Sequence, residues 1–225
     1  MELKVTALIP AHNEAARIAD TVGALASIPE VGDILVIDDG SSDDTAAVAR
    51  AAGARVLVLE RNMGKGEALN RGAAVVTTEV VLLLDADLGA SAAEGRKLLL
   101  PILRGEADMT VGRFPPARRR GGFGLVKGLA RTGIRLYTGL QMESPLSGQR
   151  AMTRRVMERL LPFASGYGVE VGLTIRAARC GFRVAEVPVQ MTHQETGRDW
   201  AGFLHRGRQF IHVLRVLAAV GLTGR

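Results

Sequence analysis

The sequence has little cysteine and few aromatic residues, and both scarcities exclude classes of protein. Cys180 is the single cysteine among 225 residues, so no internal disulfide can form, and a reducing compartment is expected. Cys180 lies at the end of a predicted helix, and we expect it to be a small buried apolar side chain there. Trp, Tyr and Phe make up 4% of the chain, which leaves few rings on which nucleic-acid bases could stack. We therefore expect no nucleic-acid partner.

Long hydrophobic runs are also missing. Apolar stretches such as Val80–Leu84 and Leu98–Leu100 fall far below the roughly 20 residues of a membrane-spanning helix. The opening residues lack the charged-then-apolar layout of a secretory signal. We expect a cytoplasmic protein, and a peripheral contact with the inner face of the membrane stays open.

Several common motifs are absent as well. No G-x-G-x-x-G follows the first predicted strand, which argues against a dinucleotide-binding Rossmann site. The Gly64-Lys65-Gly66 stretch lacks the Ser or Thr and the upstream glycine of a phosphate-binding P-loop. Cysteine and histidine do not occur at zinc-ligand spacing. These nucleotide and zinc sites are therefore not expected.

Charge is distributed unevenly along the chain. The formal net charge is +6, yet residues 1–108 carry a net −7 and residues 109–225 a net +13. A uniformly basic nucleic-acid binder would not have an acidic front half. The division indicates one half that holds cations and another that meets anions.

Short apolar runs alternate with helical patterns over the front half, which predicts an α/β fold with a mostly parallel sheet. The predicted strands are Val5–Ile9, Ile34–Ile37, Arg55–Leu59, Val80–Leu84 and Met109–Val111. The predicted helices are Glu14–Ala26, Asp43–Ala52, Gly66–Val75 and Ser91–Leu103. Gly53 is expected to stop the second helix, and Asn13 could cap the first.

The alternation breaks at Arg113–Gly124, where prolines, glycines and arginines predict a mobile basic loop. Further helices are predicted at Leu125–Tyr137, Arg154–Leu161 and Val169–Cys180. Further strands are predicted at Gly148–Met152 and Arg183–Val187. A final amphipathic helix is expected from about Asp199 to Ala219. This helix could pack on the domain or lie on a membrane surface.

Polar clusters follow three of the predicted strands. They are Pro10–Glu14, Asp38–Ser42 and Asp85–Asp87. Because ligands bind at the carboxyl ends of the strands in open α/β sheets, these carboxylates should converge, and a divalent cation would relieve their repulsion. Asp38 and Asp39 could instead form a turn before Gly40. Two carboxylates without a functional role at Asp85 and Asp87 would cost folding free energy, because they end a buried apolar strand.

The segments PAHNE, VIDDGSSDDT, RNMGKGEALNRG and LLLDADL occur in an order that resembles the nucleotide-binding half of family 2 glycosyltransferases. The resemblance implies a GT-A fold, a Rossmann-like, mostly parallel sheet flanked by helices. It implies one domain over residues 1–225. Residues 1–112 would bind the nucleotide sugar. Residues 113–225 would form the acceptor half, with the basic loop 113–124 and the C-terminal helix.

The resemblance also implies site residues. The donor, a UDP- or GDP-sugar, would be bound by Pro10, Ala11, Asn13, Glu14, Asp38, Asp39, Lys65, Asp85 and Ala86. Mg²⁺ or Mn²⁺ would be held by Asp87, with Asp85 and His193 as further candidate ligands. A metal there would act as a Lewis acid on the departing nucleoside diphosphate. His193 could equally be a surface histidine.

The acceptor half resembles two branches of the family, the glucosyl phosphoglycerate synthases and the polyprenyl-phosphate sugar transferases. The chain reads SGQR where the first branch usually reads AGE, and it lacks the clear membrane-spanning tail of the second. Both use a phosphorylated acceptor, which suits arginine forks. The candidate acceptor-binding residues are Arg113, Arg118, Arg119, Arg120, Lys127, Ser147, Gly148 and Arg150. The arginine cluster could also be only a solvated loop.

Glu170 is the candidate general base, although a carboxylate at a helix N-terminus could serve the helix alone. Together these residues predict a metal-dependent glycosyltransferase in cell-envelope biogenesis that acts on polyprenyl phosphate or a phosphoglycerate. A non-catalytic nucleotide-sugar binding module and a sugar-nucleotide pyrophosphorylase are the alternatives. The sugar, the stereochemical outcome and the oligomeric state are left open.

Overall fold

The computed structural model describes residues 5–115, 124–164, 169–191, 213–214 and 216–218. The predicted alternation of strands and helices is present in the front half. Its elements are β1 (Val5–Ala11), α1 (Ile18–Ala26), β2 (Val31–Asp38), α2 (Thr45–Ala51), β3 (Arg55–Val58), α3 (Lys65–Ala73), β4 (Val80–Leu83), a 3₁₀ helix (Gly89–Glu94), α4 (Gly95–Leu103) and β5 (Met109–Arg113). The back half adds α5 (Gly124–Thr138), β6 (Arg150–Thr153), α6 (Arg154–Leu160), α7 (Val169–Arg179) and β7 (Val184–Pro188).

The described strands form one sheet in the order β3-β2-β1-β4-β6-β5-β7. Strand β6 runs antiparallel to β4 and β5, and the other paired strands are parallel. The predicted mostly parallel sheet is therefore confirmed. Because β6 alone is reversed, the carboxyl ends of β1, β2, β4 and β5 share one edge, where α/β proteins bind ligands.

Helices cover both faces of the sheet, so its central strands are apolar on both sides. Every residue of β4 is buried. One face packs against α1 and α4, and the other against α3, α5 and α7. Gly72 lets α3 lie close to the sheet, since a Cβ there would be 2.6 Å from Leu8 Cδ1 and 2.7 Å from Ile37 Cδ1. This close packing holds α3, which begins at Lys65, against the sheet.

Three local predictions are corrected by the structure. Helix α1 begins at Ile18 after Arg17 in the cap position, so Asn13 does not cap it. The single helix predicted for Ser91–Leu103 divides into the 3₁₀ helix and α4. Cys180 lies directly after the last residue of α7 and is exposed, not buried as predicted. The predicted helix stop at Gly53 is confirmed by its φ of 98°.

The described part of the C-terminal segment packs on the domain. Val213 and Leu217 are buried, and the Tyr137 hydroxyl donates to the Leu217 carbonyl over 3.1 Å. A side chain at Gly133 of α5 would collide with Leu217. The rest of the predicted amphipathic helix and most of the basic loop lie outside the described residues. Within the described ranges, no helix is long and apolar enough to cross a membrane.

Candidate active site

The three predicted polar clusters meet at one edge of the sheet. Strand β1 lies between β2 and β4, so the loops that leave these strands are neighbours. Pro10 and Ala11 end β1, and the Ala11 carbonyl accepts the Asp39 N–H over 2.8 Å. The expected convergence of the clusters is therefore present in the structure.

Asn13 joins the loop after β1 to the loop after β2. Its φ is 57°, a left-handed conformation that asparagine tolerates better than most residues. Its N–H donates to Ser41 Oγ over 2.9 Å, and its Oδ1 accepts the Ser42 N–H over 2.8 Å. The Glu14 N–H donates to Thr45 Oγ1 over 2.8 Å. The two loops are thus held together as one unit before any ligand binds.

Asp38 and Asp39 organise the same region with buried carboxylates. Asp38 Oδ1 accepts the Ser41 N–H over 3.1 Å, the bond of a turn former. The two Asp39 oxygens accept the N–H groups of Met63 and Gly64, each over 2.8 Å. Asp39 therefore ties the second loop to the loop that leads into α3 and Lys65.

The Asn13 contacts lead to a stability prediction. Asn13→Ala should lower the free energy of unfolding by about 2 kcal/mol, because it removes a hydrogen-bond acceptor and strains a positive φ. Asn13→Gly relieves the strain and loses the same acceptor, so it should cost about 1 kcal/mol less. Urea unfolding of the two variants measures the difference, and equal losses would contradict a strained Asn13.

Asp85 is held on both carboxylate oxygens. Lys65 Nζ lies 2.7 Å from Oδ1 and Gln149 Nε2 lies 2.6 Å from Oδ2. Gln149 Oε1 also accepts the Asp85 N–H over 3.0 Å. The neighbouring Ala86 is buried, and its carbonyl accepts the Thr21 hydroxyl over 2.8 Å. The backbone of the D-x-D segment is thus anchored on both sides.

Lys65 bridges two carboxylates from different halves of the chain. Its Nζ lies 3.3 Å from Glu170 Oε1, in addition to the contact with Asp85. Burial opposes the charge of the ammonium, but Asp85 and Glu170 outweigh it and raise the pKa of Lys65. Glu170 lies in the first turn of α7, and its side chain is 14% exposed. We refer to Lys65, Asp85 and Glu170 as the charge cluster.

Glu14 and Asp87 are two further carboxylates of the acidic edge, and both are half-buried. The pKa of Glu14 is raised first by burial and then by the charge of Asp87, with Asp43 and Asp85 adding to it and Arg17 opposing it. Carboxylates that repel one another in this way suit a hard cation such as Mg²⁺ or Mn²⁺.

Protein ligands alone do not complete a metal site in the part of the chain that the structure describes. There, no three His, Cys, Asp or Glu residues are close enough together to hold a metal ion. Asp85 Oδ1 and Oδ2 contact Lys65 and Gln149, and the charge of Asp87 is the largest cause after burial of the raised pKa of Glu14. His193 lies outside the described residues. The donor set fits a cation whose remaining ligands come from a bound diphosphate.

The candidate acceptor residues separate into two groups. Arg113 ends β5, and its Nη1 lies 2.9 Å from Glu143 Oε1; Lys127 lies in the first turn of α5. Ser147 and Arg150 are buried, and Gly148 lies against Lys65. Arg118, Arg119 and Arg120 lie outside the described residues.

Gln149 belongs to the site, although the sequence pattern predicts no role for it. It lies in the SGQR segment, which resembles a segment of the acceptor half in related enzymes. Its side chain contacts Asp85 across 64 positions of the chain. Nothing in the local pattern marks such a contact, although a polar residue directly before a buried strand is a signal worth testing.

The seven-stranded, mostly parallel sheet with polar loops at its carboxyl edge defines an open α/β protein that binds its ligand at that edge. The chain belongs to glycosyl transferase family 2, whose family model matches residues 6–160. Glucosyl-3-phosphoglycerate synthase of Mycobacterium tuberculosis is 34% identical over 197 residues, which cover 76% of this chain and 60% of that protein. Glycosyltransferase AglJ of Haloferax volcanii is 30% identical over 203 residues, which cover 87% of this chain and 65% of that protein.

Solved structures confirm the GT-A fold. Glucosyl-3-phosphoglycerate synthase from Mycobacterium tuberculosis with Mn²⁺, UDP and glucosyl-3-phosphoglycerate matches with a TM-score of 0.80 and 30% identity, over 97% of this chain and 80% of that one. Its complex with Mn²⁺, UDP-glucose and glycerol 3-phosphate matches with a TM-score of 0.79 and 28% identity, over the same shares. The chain spans 60 to 65% of the length of the two curated relatives named above.

Proposed function

We propose that this protein is a metal-dependent glycosyltransferase that moves a sugar from a nucleotide-sugar donor to a phosphorylated acceptor. The observation that carries the proposal is the carboxyl edge of the sheet, where Lys65 bridges Asp85 and Glu170 next to the acidic pair Glu14 and Asp87. Such an edge offers one cation to a diphosphate and carboxylates to a metal. No other described part of the chain combines these groups.

The donor side of the proposal rests on the joined loops after β1 and β2. Pro10, Ala11, Asn13, Asp38 and Asp39 would form the wall against which the base and ribose lie. We propose a UDP-sugar, because the mycobacterial synthase that shares this fold is solved with UDP or UDP-glucose. A GDP-sugar is the alternative that the experiment must include.

We propose that Asp87 would hold Mg²⁺ or Mn²⁺, with Glu14 as the nearby second carboxylate. A bound cation would supply Lewis-acid stabilisation of the charge that develops on the leaving nucleoside diphosphate. Lys65 would add a second positive charge beside the same phosphates, held in place by Asp85. The complexes of the mycobacterial synthase with Mn²⁺ or Mg²⁺ and UDP support this assignment.

The acceptor is proposed to be a small phosphorylated hydroxy acid of the phosphoglycerate type. Among the described residues, Arg113 at the end of β5 is our candidate to bind the acceptor phosphate with its guanidinium, which forms an ion pair with Glu143 in this structure. The mycobacterial synthase binds phosphoglyceric acid and glycerol 3-phosphate. Polyprenyl phosphate remains the second acceptor to be tested.

A screen of donors and acceptors tests the proposed function. The purified chain is incubated with UDP- or GDP-sugars, Mn²⁺ or Mg²⁺, and either 3-phosphoglycerate or polyprenyl phosphate, and product is detected by mass spectrometry. We expect transfer from a UDP-sugar that EDTA abolishes. Donor binding without transfer or hydrolysis would instead support a binding module, and release of pyrophosphate from a sugar phosphate and nucleoside triphosphate would support a pyrophosphorylase.

A further inference from the structure

Three residues of the SGQR segment, Ser147–Arg150, are buried, and Gly148 is half-buried against the charge cluster. Ser147 is 5% exposed, and Gln149 and Arg150 are each 1% exposed. Residues buried to this extent cannot reach an acceptor in solution, so their contacts must be explained by the groups they touch inside the protein.

Gly148 makes room for the Lys65 ammonium. A Cβ at this position would lie 2.5 Å from Lys65 Nζ, 3.2 Å from Asp85 Oδ2 and 3.3 Å from Asp85 Oδ1. Because Nζ ends a flexible side chain, an added methyl group would displace the ammonium before it disturbed the backbone. The absence of a side chain at 148 is therefore a condition for the contact between Lys65 and Asp85.

Gln149 orients the carboxylate that receives Lys65. Its side-chain amide accepts the Asp85 N–H and donates to Asp85 Oδ2, a reciprocal pair that leaves Oδ1 toward Lys65. The backbone carbonyl of Gln149 accepts the Gly112 N–H over 2.8 Å, which ties Gln149 and Asp85 to β5. Glycine at position 112 leaves room for this side chain, since a Cβ there would lie 3.2 Å from Gln149 Cβ.

Arg150 anchors the turn that carries the other carboxylate. Its guanidinium donates to the Glu170 carbonyl over 2.9 Å, to Thr174 Oγ1 over 3.0 Å and to the Ser147 carbonyl over 3.0 Å. Burial lowers the pKa of Arg150 to about 10, with the charges of Glu170 and Glu186 opposing the shift. The group is still charged at neutral pH, and its fork joins the SGQR segment to the first turn of α7.

We propose that Gly148, Gln149 and Arg150 are positioning residues that assemble the Lys65–Asp85–Glu170 cluster, and that they act through Lys65 rather than by contact with the acceptor. The proposal rests on the proposed function in one respect, the assignment of Lys65 to the donor diphosphate. It replaces the expectation that Gly148 and Arg150 bind the acceptor. It also explains why three residues in a row are committed to one cluster.

A double-mutant cycle between Gly148→Ala and Lys65→Met tests this assignment. Alone, Gly148→Ala should reduce kcat about tenfold and weaken UDP binding in the presence of Mn²⁺ about threefold to tenfold, with the KM for the acceptor unchanged within about twofold. In the Lys65→Met background the same change should have almost no further effect. Gly23→Ala in α1, where a Cβ meets nothing within 4 Å, is the matched control and should leave every quantity unchanged.

The cycle separates the inference from the proposed function. Calorimetric titration with UDP and Mn²⁺ gives the same cycle without turnover, so an unidentified acceptor does not prevent the test. Additive losses in the double variant, or a raised acceptor KM for Gly148→Ala, would overturn the positioning role. A wild-type chain that binds no UDP would instead overturn the proposed function. If Gly148→Ala does not fold, Gln149→Leu replaces it in the double-mutant cycle with Lys65→Met. We again expect the second change to have almost no further effect in the Lys65→Met background.

Discussion

Replacing Asp87 by alanine should reduce sugar transfer by at least about a thousandfold, equivalent to roughly 4 kcal/mol of transition-state stabilisation. The reason is that we propose Asp87 of the D-x-D pair as the metal ligand, and its charge acts on the nearby carboxylate of Glu14. Initial rates at saturating Mn²⁺ measure the loss. Because Glu14 alone cannot replace the ligand, more metal should not restore the rate.

The fold should survive this substitution. Asp87 is half-buried at the edge of the sheet, and its charge contributes to the raised pKa of Glu14 after the effect of burial. Removing one of two repelling carboxylates should leave the free energy of unfolding unchanged or raise it by a few tenths of a kcal/mol, about the size of an exposed charge pair. Urea unfolding without metal measures this change.

Asp44→Asn is the matched control for Asp87→Ala. Asp44 is an exposed carboxylate in the cap position of α2, near the same edge, and its side chain makes no capping hydrogen bond. The control should keep full activity and full metal dependence. Transfer by Asp87→Ala at the wild-type rate, or wild-type transfer that persists in EDTA, would contradict a catalytic metal held by Asp87.

The sheet could be predicted from sequence because its strands carry continuous apolar runs that end in polar residues. Val80–Leu83 is buried at every position and is followed, after Leu84, by Asp85-Ala86-Asp87. That pattern indicates both a central strand and the edge where its ligands lie. The order of the strands beyond β4 could not be derived in the same way, because the reversal of β6 depends on pairing with β4 across about 70 residues.

The division of labour within the site could not be predicted from sequence. Asp85 and Asp87 are two residues apart and chemically identical, yet Asp85 meets partners 20 and 64 positions away. The sequence predicts that Arg150 binds the sugar acceptor, but its guanidinium donates hydrogen bonds to three oxygen atoms inside the protein. In each case a distant part of the chain sets the role.

Replacing Glu170 by glutamine should distinguish the two classes of acceptor. The hydroxyl of 3-phosphoglycerate must lose a proton when it attacks the sugar, and a carboxylate in reach can take it, which is worth about a hundredfold to ten-thousandfold in rate. A phosphate oxygen is already ionised and needs no base. Glu170→Gln should therefore reduce transfer to 3-phosphoglycerate by at least about a hundredfold, and transfer to polyprenyl phosphate by less than about threefold.

The geometry allows this test because the amide keeps the shape of the side chain while it loses its basicity. Glu170 is 14% exposed, so it is buried enough for orientation to matter and open enough to meet a substrate. Lys65 would keep its shorter contact with Asp85, 2.7 Å against 3.3 Å for Glu170, so UDP affinity should change little.

Glu158→Gln, which alters an exposed ion pair on α6, is the control for Glu170→Gln and should leave transfer unchanged. An equal loss with both acceptors, accompanied by weaker UDP binding, would show that Glu170 serves Lys65 rather than the acceptor hydroxyl. A large loss confined to 3-phosphoglycerate would assign the proton to Glu170. The rates with the two acceptors would then place the reacting hydroxyl of 3-phosphoglycerate within hydrogen-bond reach of Glu170, in the first turn of α7.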